Sequence, residues 1–204
     1  MSATKPILAV GSIALDSLET IEGNRTEIIG GSSTYFGLAA KLFAPVSLVG
    51  VVGEDFPQEG WNLLSNTNID VKNIQIQPGT TFRWGGRYNN DYSHRETLFT
   101  NLGVFEKFEP SILENYKKAD FLFLGNIQPD LQLNVANQME SVKTIVCDTM
   151  NLWIDLCPDK LWDVLKRVDV FLLNDEEAVQ LTAKKNLSEA ANQLLQSGPR
   201  VVVI

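Results

Sequence analysis

Short continuous apolar runs alternate along this chain with segments whose apolar residues recur three and four positions apart, the pattern of buried strands separated by amphipathic helices. Ile7 to Ser12 reads as a first buried strand and Val46 to Val52 as a second. Between them, Leu15 to Glu19 and Thr26 to Ile29 alternate about Glu22-Gly23-Asn24 and predict a hairpin. A helix is expected to start near Ser32 or Ser33, because Tyr35, Leu38, Ala39 and Leu42 follow at helical spacing after the pair Gly30-Gly31. Asp55-Phe56-Pro57 predicts another helix running to about Asn66, with Asp55 as its cap.

From Ile69 to Asn101 the period changes. Phe82, Trp84 and Tyr88 alternate with Arg83 and Arg87 about Gly85-Gly86, which predicts a small antiparallel sheet with one apolar and one basic face. After Pro110 the alternation resumes, with strands over Phe121 to Leu124, Thr144 to Asp148 and Val170 to Leu173. Helices are expected over Leu131 to Gln138, Lys160 to Arg167, Asp175 to Leu181 and Ser188 to Gln196. Apolar strands joined by helices imply a parallel α/β sheet with helices on both faces and right-handed crossovers. Val201 to Ile204 are all apolar and β-branched, as in a central strand, so the sequence is expected to stop inside a domain.

Composition narrows the chemistry. A 204-residue chain with 44% hydrophobic and 21% charged residues can bury a sizeable core. Its formal charge of -8, with no basic patch, argues against nucleic acid and anionic membranes as partners. No apolar run approaches the roughly 18 residues of a membrane span. Ile7 to Leu15 lacks the flanks and cleavage site of a signal peptide. Cys147 and Cys157, with His94 as the sole histidine, offer no zinc-type spacing and read as reduced thiols of a cytoplasmic protein. His94 sits in a polar run and reads as a solvated loop residue, which argues against a hydrolytic triad.

In open α/β sheets the working groups lie beyond the carboxyl ends of the strands. Asp16, Asn126, Asp148 with Asn151, and Asn174 with Glu177 occupy those positions. Asp16 has two readings, an acceptor for two neighbouring hydroxyls or a turn residue beside the hairpin. At Gly30-Gly31 a ligand can approach bare backbone near the start of a helix, which suits a polar or anionic small molecule; the plainer reading is an ordinary strand-to-helix turn. Asn174 and Glu177 either cap a helix or stand near a hydrated magnesium ion. The chain holds no G-x-x-x-x-G-K-[ST] loop, no G-x-G-x-x-G and no G-x-S-x-G.

Taken together, Gly11-Ser12-Ile13-Ala14-Leu15-Asp16, the Gly30-Gly31 helix start, Val49-Gly50-Val51-Val52-Gly53-Glu54-Asp55, Ile69-Asp70-Val71 and Leu173-Asn174-Asp175-Glu176-Glu177-Ala178 resemble the ribokinase-like (PfkB) family of carbohydrate and nucleoside kinases. The match runs in order over essentially the whole chain. The resemblance implies one incomplete ribokinase-like domain over residues 1–204, with a β lid from about 15–29 and 80–101. It implies ATP-dependent phosphorylation of a sugar hydroxymethyl group with Mg2+. The alternatives are a nucleoside kinase, or a non-catalytic binding module that ends at Ile204.

By the same resemblance, Asp16 and the Gly30-Gly31 backbone bind the acceptor hydroxyls, with Ser32 at the helix start placed beside them, and Arg83 or the Trp84 and Tyr88 face lies near the substrate or in a dimer contact through the lid. Asn126 completes the substrate set. The resemblance associates Asn174 and Glu177 with magnesium and phosphate, with Glu177 reaching the metal through water; Asp148, read from its place after a strand, is either a further nucleotide contact or a turn former. Ribokinases carry Asn where Ala14 stands, and Lys and Asn where Ser32 and Tyr35 stand. This departure argues against ribose itself and leaves Tyr35 free to stack on a sugar ring or nucleobase. The family's Gly-Ala-Gly-Asp helix start, with its catalytic base, is expected beyond Ile204, so these residues alone are expected to be inactive.

Overall fold

The computed structural model describes residues 6–204, and contacts divide the chain into two compact units, Gly11–Glu109 in one and residues 6–10 with Pro110–Ile204 in the other. Strand β1 (Ile7–Val10) opens the second of these. The Gly11–Glu109 unit begins with a hairpin of β2 (Ala14–Thr20) and β3 (Gly23–Gly30), followed by α1 (Ser32–Ala40), β4 (Val46–Gly53) and α2 (Gln58–Asn66). It continues with β5 (Asp70–Gln77), β6 (Phe82–Tyr88) and β7 (Arg95–Asn101).

Every residue of β4 is buried, as its unbroken apolar run predicts, and β5 pairs with it in parallel. The change of period at Ile69 therefore does not mark the start of the small sheet. That sheet begins only at Phe82, because the pairing of Val52 with Ile76 ties β5 to the parallel strand instead. The small sheet has the order β3-β2-β6-β7, parallel between β2 and β6 and antiparallel elsewhere. Ile13, Leu15, Val52 and Phe56 form a buried cluster beside it, with Ile29, Trp61 and Ile74 packed around them. Each such aliphatic or aromatic side chain contributes about 1.5–3 kcal/mol on burial. A turn of 3-10 helix over Gly103–Lys107 places Phe105 against Phe82 at 5.4 Å.

The other unit continues with β8 (Phe121–Leu124), α3 (Pro129–Gln138), β9 (Thr144–Asp148), α4 (Asn151–Leu156) and α5 (Pro158–Leu165). It ends with β10 (Val170–Leu172), α6 (Asp175–Thr182), α7 (Leu187–Gln196) and β11 (Val201–Val203). Its strands run in the order β11-β10-β9-β8-β1, all parallel. Leu122, Leu124, Cys147, Leu161, Leu165, Phe171 and Leu194 are sealed in its core. Val10 pairs with Leu124, Leu124 with Cys147, and Asp148 with Leu172, so Asn126, Asp148 and Asn174 lie at the same carboxyl end of this sheet. The short helix α4 escaped the sequence pattern, since six residues are too few to show a period. The chain thus has the expected parallel α/β fold with a separate small mixed sheet.

Candidate functional site

In the Gly11–Glu109 unit, Ala14 pairs with Gly30 and Asp16 with Ile28, which sets the Asp16 carboxylate against the end of β3. A Cβ on Gly30 would stand 2.0 Å from Asp16 Oδ2, and one on Gly31, whose φ is +96°, would stand 2.3 Å from the Ser12 carbonyl oxygen. Only glycine fits at Gly31, while a side chain at Gly30 would have to displace the Asp16 carboxylate. The Gly31 N–H donates to the Asp16 carboxylate, which is 9% exposed. Burial pushes its pKa from 3.8 up to about 6, and the Gly31 bond offsets that only in part. Asp16 is consequently a mostly ionised acceptor at neutral pH, with lone pairs left for a partner's hydroxyls.

The start of α1 is not the open anion site that its glycines suggest. Ser12 fills it: the Ser32 N–H donates to Ser12 Oγ at 3.0 Å, and the Ser33 N–H and hydroxyl donate to the Ser12 carbonyl at 3.2 and 2.9 Å. The Ser12 N–H in turn donates to Ser32 Oγ at 3.2 Å. Gly31 stands at the N-cap position and no local side chain caps the helix, so a serine from the preceding loop does that work. The sequence pattern placed Ser12 at the end of the first strand and within the Gly11 to Asp16 motif but gave it no capping role. Tyr35 is half exposed at 53%. Its hydroxyl pKa is raised by partial burial and then by the charges of Asp16 and Tyr88. Tyr88 in turn lies 6.0 Å from Tyr92, centroid to centroid.

Arg83 is engaged elsewhere. Its Nε–H donates to Glu27 Oε1 at 2.8 Å and its Nη1–H to Asp55 Oδ2 at 2.7 Å. The other Asp55 oxygen accepts the Thr81 N–H and hydroxyl at 2.7 and 2.8 Å. Asp55 therefore does not cap α2, which starts at Gln58 after Pro57. A guanidinium and two further donors outcompete a helix terminus for its charge. Burial favours the protonated Asp55 carboxyl, but the Thr81 bonds and Arg83 outweigh that and hold it below the usual carboxylate range.

In the second unit, Asn174 and Glu177 form a reciprocal capping box at the start of α6: the Glu177 N–H donates to Asn174 Oδ1 at 2.8 Å, and the Asn174 N–H to Glu177 Oε2 at 3.0 Å. Burial, and then the charge of the neighbouring Glu177, pushes the Asp148 pKa up to about 7. Asp148 Oδ1, Thr149 Oγ1 and Gln132 Oε1 are buried without hydrogen-bond partners. The Gln132 amide donates to the carbonyls of Gly125 and Asp148, each at 3.0 Å, which fixes the end of β9. Among the described residues no group of three or more His, Cys, Asp and Glu could hold a metal. A buried Asp148 carboxylate with an unpartnered oxygen, within reach of the Glu177 charge, nonetheless fits Mg2+, which keeps several waters and takes one or two carboxylates. Asn126 accepts the Trp153 Nε1–H at 2.7 Å and rests its amide nitrogen on Met150 Sδ at 3.0 Å.

A parallel α/β unit and a small mixed sheet are the parts of a ribokinase-like fold. Residues 12–204 match the model of the pfkB family of carbohydrate kinases, and the chain belongs to that family. It is 29% identical over 202 residues to a cytidine kinase of Thermococcus kodakarensis, spanning 97% of this chain and 72% of that protein. The structure of ribokinase from Giardia lamblia aligns with a TM-score of 0.75 at 18% identity, over 98% of this chain and 68% of that one. A Burkholderia thailandensis nucleoside kinase solved with inosine aligns at 0.74 and 15%, over 91% and 67%. At such identities these structures establish the shared fold.

Proposed function

We propose that this protein transfers the γ-phosphoryl group of ATP to the hydroxymethyl group of a nucleoside, with cytidine the first acceptor to test. The observation that carries the reading is the buried, mostly ionised Asp16 held against the bare Gly30-Gly31 turn, with the half-exposed Tyr35 in the first turn of the helix that follows. Asp16 accepts hydrogen bonds from the sugar hydroxyls, while Gly30, Gly31 and Ser32 shape the floor on which the sugar lies. A carboxylate held in place before the sugar arrives loses little in ordering itself. Tyr35 stacks on the base, a contact worth roughly 1–3 kcal/mol by analogy with bases on aromatic platforms. Likeness to a cytidine kinase supports a nucleoside over the free sugar that the sequence put first.

The four-stranded sheet built from residues 14–30 and 82–101 is read as the lid. The exposed edge strand β7, with Leu98 and Phe99, supports a dimer through it, to be checked by light scattering. In the other unit Asp148 and Glu177 hold Mg2+, directly or through water, and the capping box with Asn174 keeps Glu177 in place. The ion supplies charge neutralisation for the phosphates of ATP. Asn126 contributes by fixing Trp153 and Met150 at the same strand ends. No helix is long and apolar enough to cross a membrane among the described residues, and a kinase drawing on ATP suits the cytoplasm.

Thermal unfolding with cytidine, inosine, ribose and fructose tests the reading. A ligand at 100 times its dissociation constant stabilises by about 2.7 kcal/mol, so cytidine should raise Tm clearly and free sugars little. A response to sugars alone would make the protein a sugar kinase, and flat traces for every ligand would remove the kinase reading.

A further inference from the structure

Arg83 has the chemistry to grip a substrate hydroxyl, but its surroundings give it other work. Its strand β6 pairs with β2, Leu15 opposite Arg83 and Asp16 opposite Trp84. From there the guanidinium reaches Glu27 in β3 at 2.8 Å and Asp55, in the turn after β4, at 2.7 Å, with a third bond to the Thr81 carbonyl at 3.1 Å. Thr81 is itself locked: its hydroxyl donates to Asp55 and accepts the Gly53 N–H at 3.0 Å. The Arg83 side chain is 24% exposed and Asp55 32%, so the pair is partly shielded from screening, while Glu27 at 58% is the wetter partner. One planar cation thus ties β3, β6 and the β4 turn together, and β2, which carries Asp16, lies between β3 and β6.

We propose that Arg83 is a positioning residue: clamped between Asp55 and Glu27, it fixes the small sheet against the turn after β4 and thereby holds Asp16 in the geometry that receives the acceptor. The proposal rests on the reading of Asp16 as the acceptor contact. It assigns Arg83 no bond to substrate, and it gives Asp55, in the Gly53-Glu54-Asp55 turn, a task that helix capping does not explain.

The test compares wild type, Arg83→Met, Arg83→Lys, Glu27→Gln and the Arg83→Met/Glu27→Gln double variant. Cytidine binding is read by calorimetry, and hydrogen exchange is read at the β2 and β6 amides. Residues in one network couple, so Arg83→Met should raise the cytidine Kd about tenfold, Glu27→Gln about threefold, and the double variant no further than Arg83→Met. Exchange at β2 and β6 should quicken in the same order, with Arg83→Lys intermediate, because lysine keeps the charge and loses the fork. Additive losses with unchanged exchange would overturn the proposal in favour of a direct substrate contact. Faster exchange with unchanged cytidine affinity would overturn it too. Should Arg83→Met fail to fold, the exposed Glu27→Gln decides alone, by whether both readouts move. If wild type binds neither cytidine nor inosine, the acceptor reading fails; the clamp itself then stands or falls on exchange at β2 and β6.

Discussion

Replacing Gly30 with alanine tests the site without touching a polar group. The added Cβ would sit 2.0 Å from Asp16 Oδ2 and 2.5 Å from its Cγ, so the carboxylate must swing out of the turn. Gly30 is not among the positive-φ glycines, so alanine meets no backbone strain and the effect is confined to that collision. Overpacking costs about 1–3 kcal/mol of stability, or roughly 2–12 °C in Tm for a chain of this size. A hydrogen bond to a charged group contributes about 1.5–3 kcal/mol. Losing one sugar hydroxyl contact should therefore weaken cytidine binding about 10- to 150-fold.

Calorimetric titration of cytidine into Gly30→Ala, Asp16→Ala and the double variant reads the outcome. If alanine acts by displacing the carboxylate, Gly30→Ala should lose about as much affinity as Asp16→Ala, and the pair together should lose no more. Wild-type affinity in a folded Gly30→Ala protein would refute the reasoning. So would a further loss when Gly30→Ala is added to Asp16→Ala.

The raised pKa of Asp16, about 6 against 3.8 when unfolded, means that the folded chain binds a proton more tightly than the unfolded one. Ionising this group therefore costs stability as pH rises from about 4 to 6, and Asp16→Asn should raise Tm at about pH 8 with an advantage that disappears below about pH 4. Cytidine affinity, which needs the ionised form, should fall as pH drops through that folded pKa. Mg2+ should raise Tm of the wild type near neutral pH by relieving the repulsion between Asp148 and Glu177, and should do so much less in Glu177→Gln; equal shifts at matched ionic strength would argue against that site. Ser12→Ala removes the cap supplied to α1 and should cost about 1 kcal/mol in urea unfolding, whereas an unchanged midpoint would mean that water replaces it.

The parallel strands were legible because apolar runs such as Phe121 to Leu124 and Val46 to Val52 have no other favourable environment than a covered sheet. That Asn174 caps a helix was legible as one of two readings, since the bonds are local, but the reciprocal bond from Glu177 was not singled out. Asp16 stood out by its place soon after the first apolar strand, and the diglycine by the helical spacing that follows it; that the two meet is set by the pairing of Ala14 with Gly30 and Asp16 with Ile28. What stayed hidden depends on contacts between residues distant in sequence. Asp55 followed by Pro57 reads as a helix cap, and nothing local reveals that Arg83, 28 positions on, takes the carboxylate instead. Ser12, 20 positions before Ser32, supplies the cap that the helix lacks. The pairing of β5 with β4 was likewise invisible, because the alternation of Asp70 to Gln77 suits either sheet.

The most direct measurement is a crystal structure with cytidine bound. The account predicts sugar hydroxyls within about 2.5–3.0 Å of the Asp16 carboxylate oxygens, the sugar resting on the Gly30-Gly31 turn and the base against Tyr35. Cytidine bound elsewhere, or lying over that turn while Asp16 faces away from it, would contradict the account at its centre.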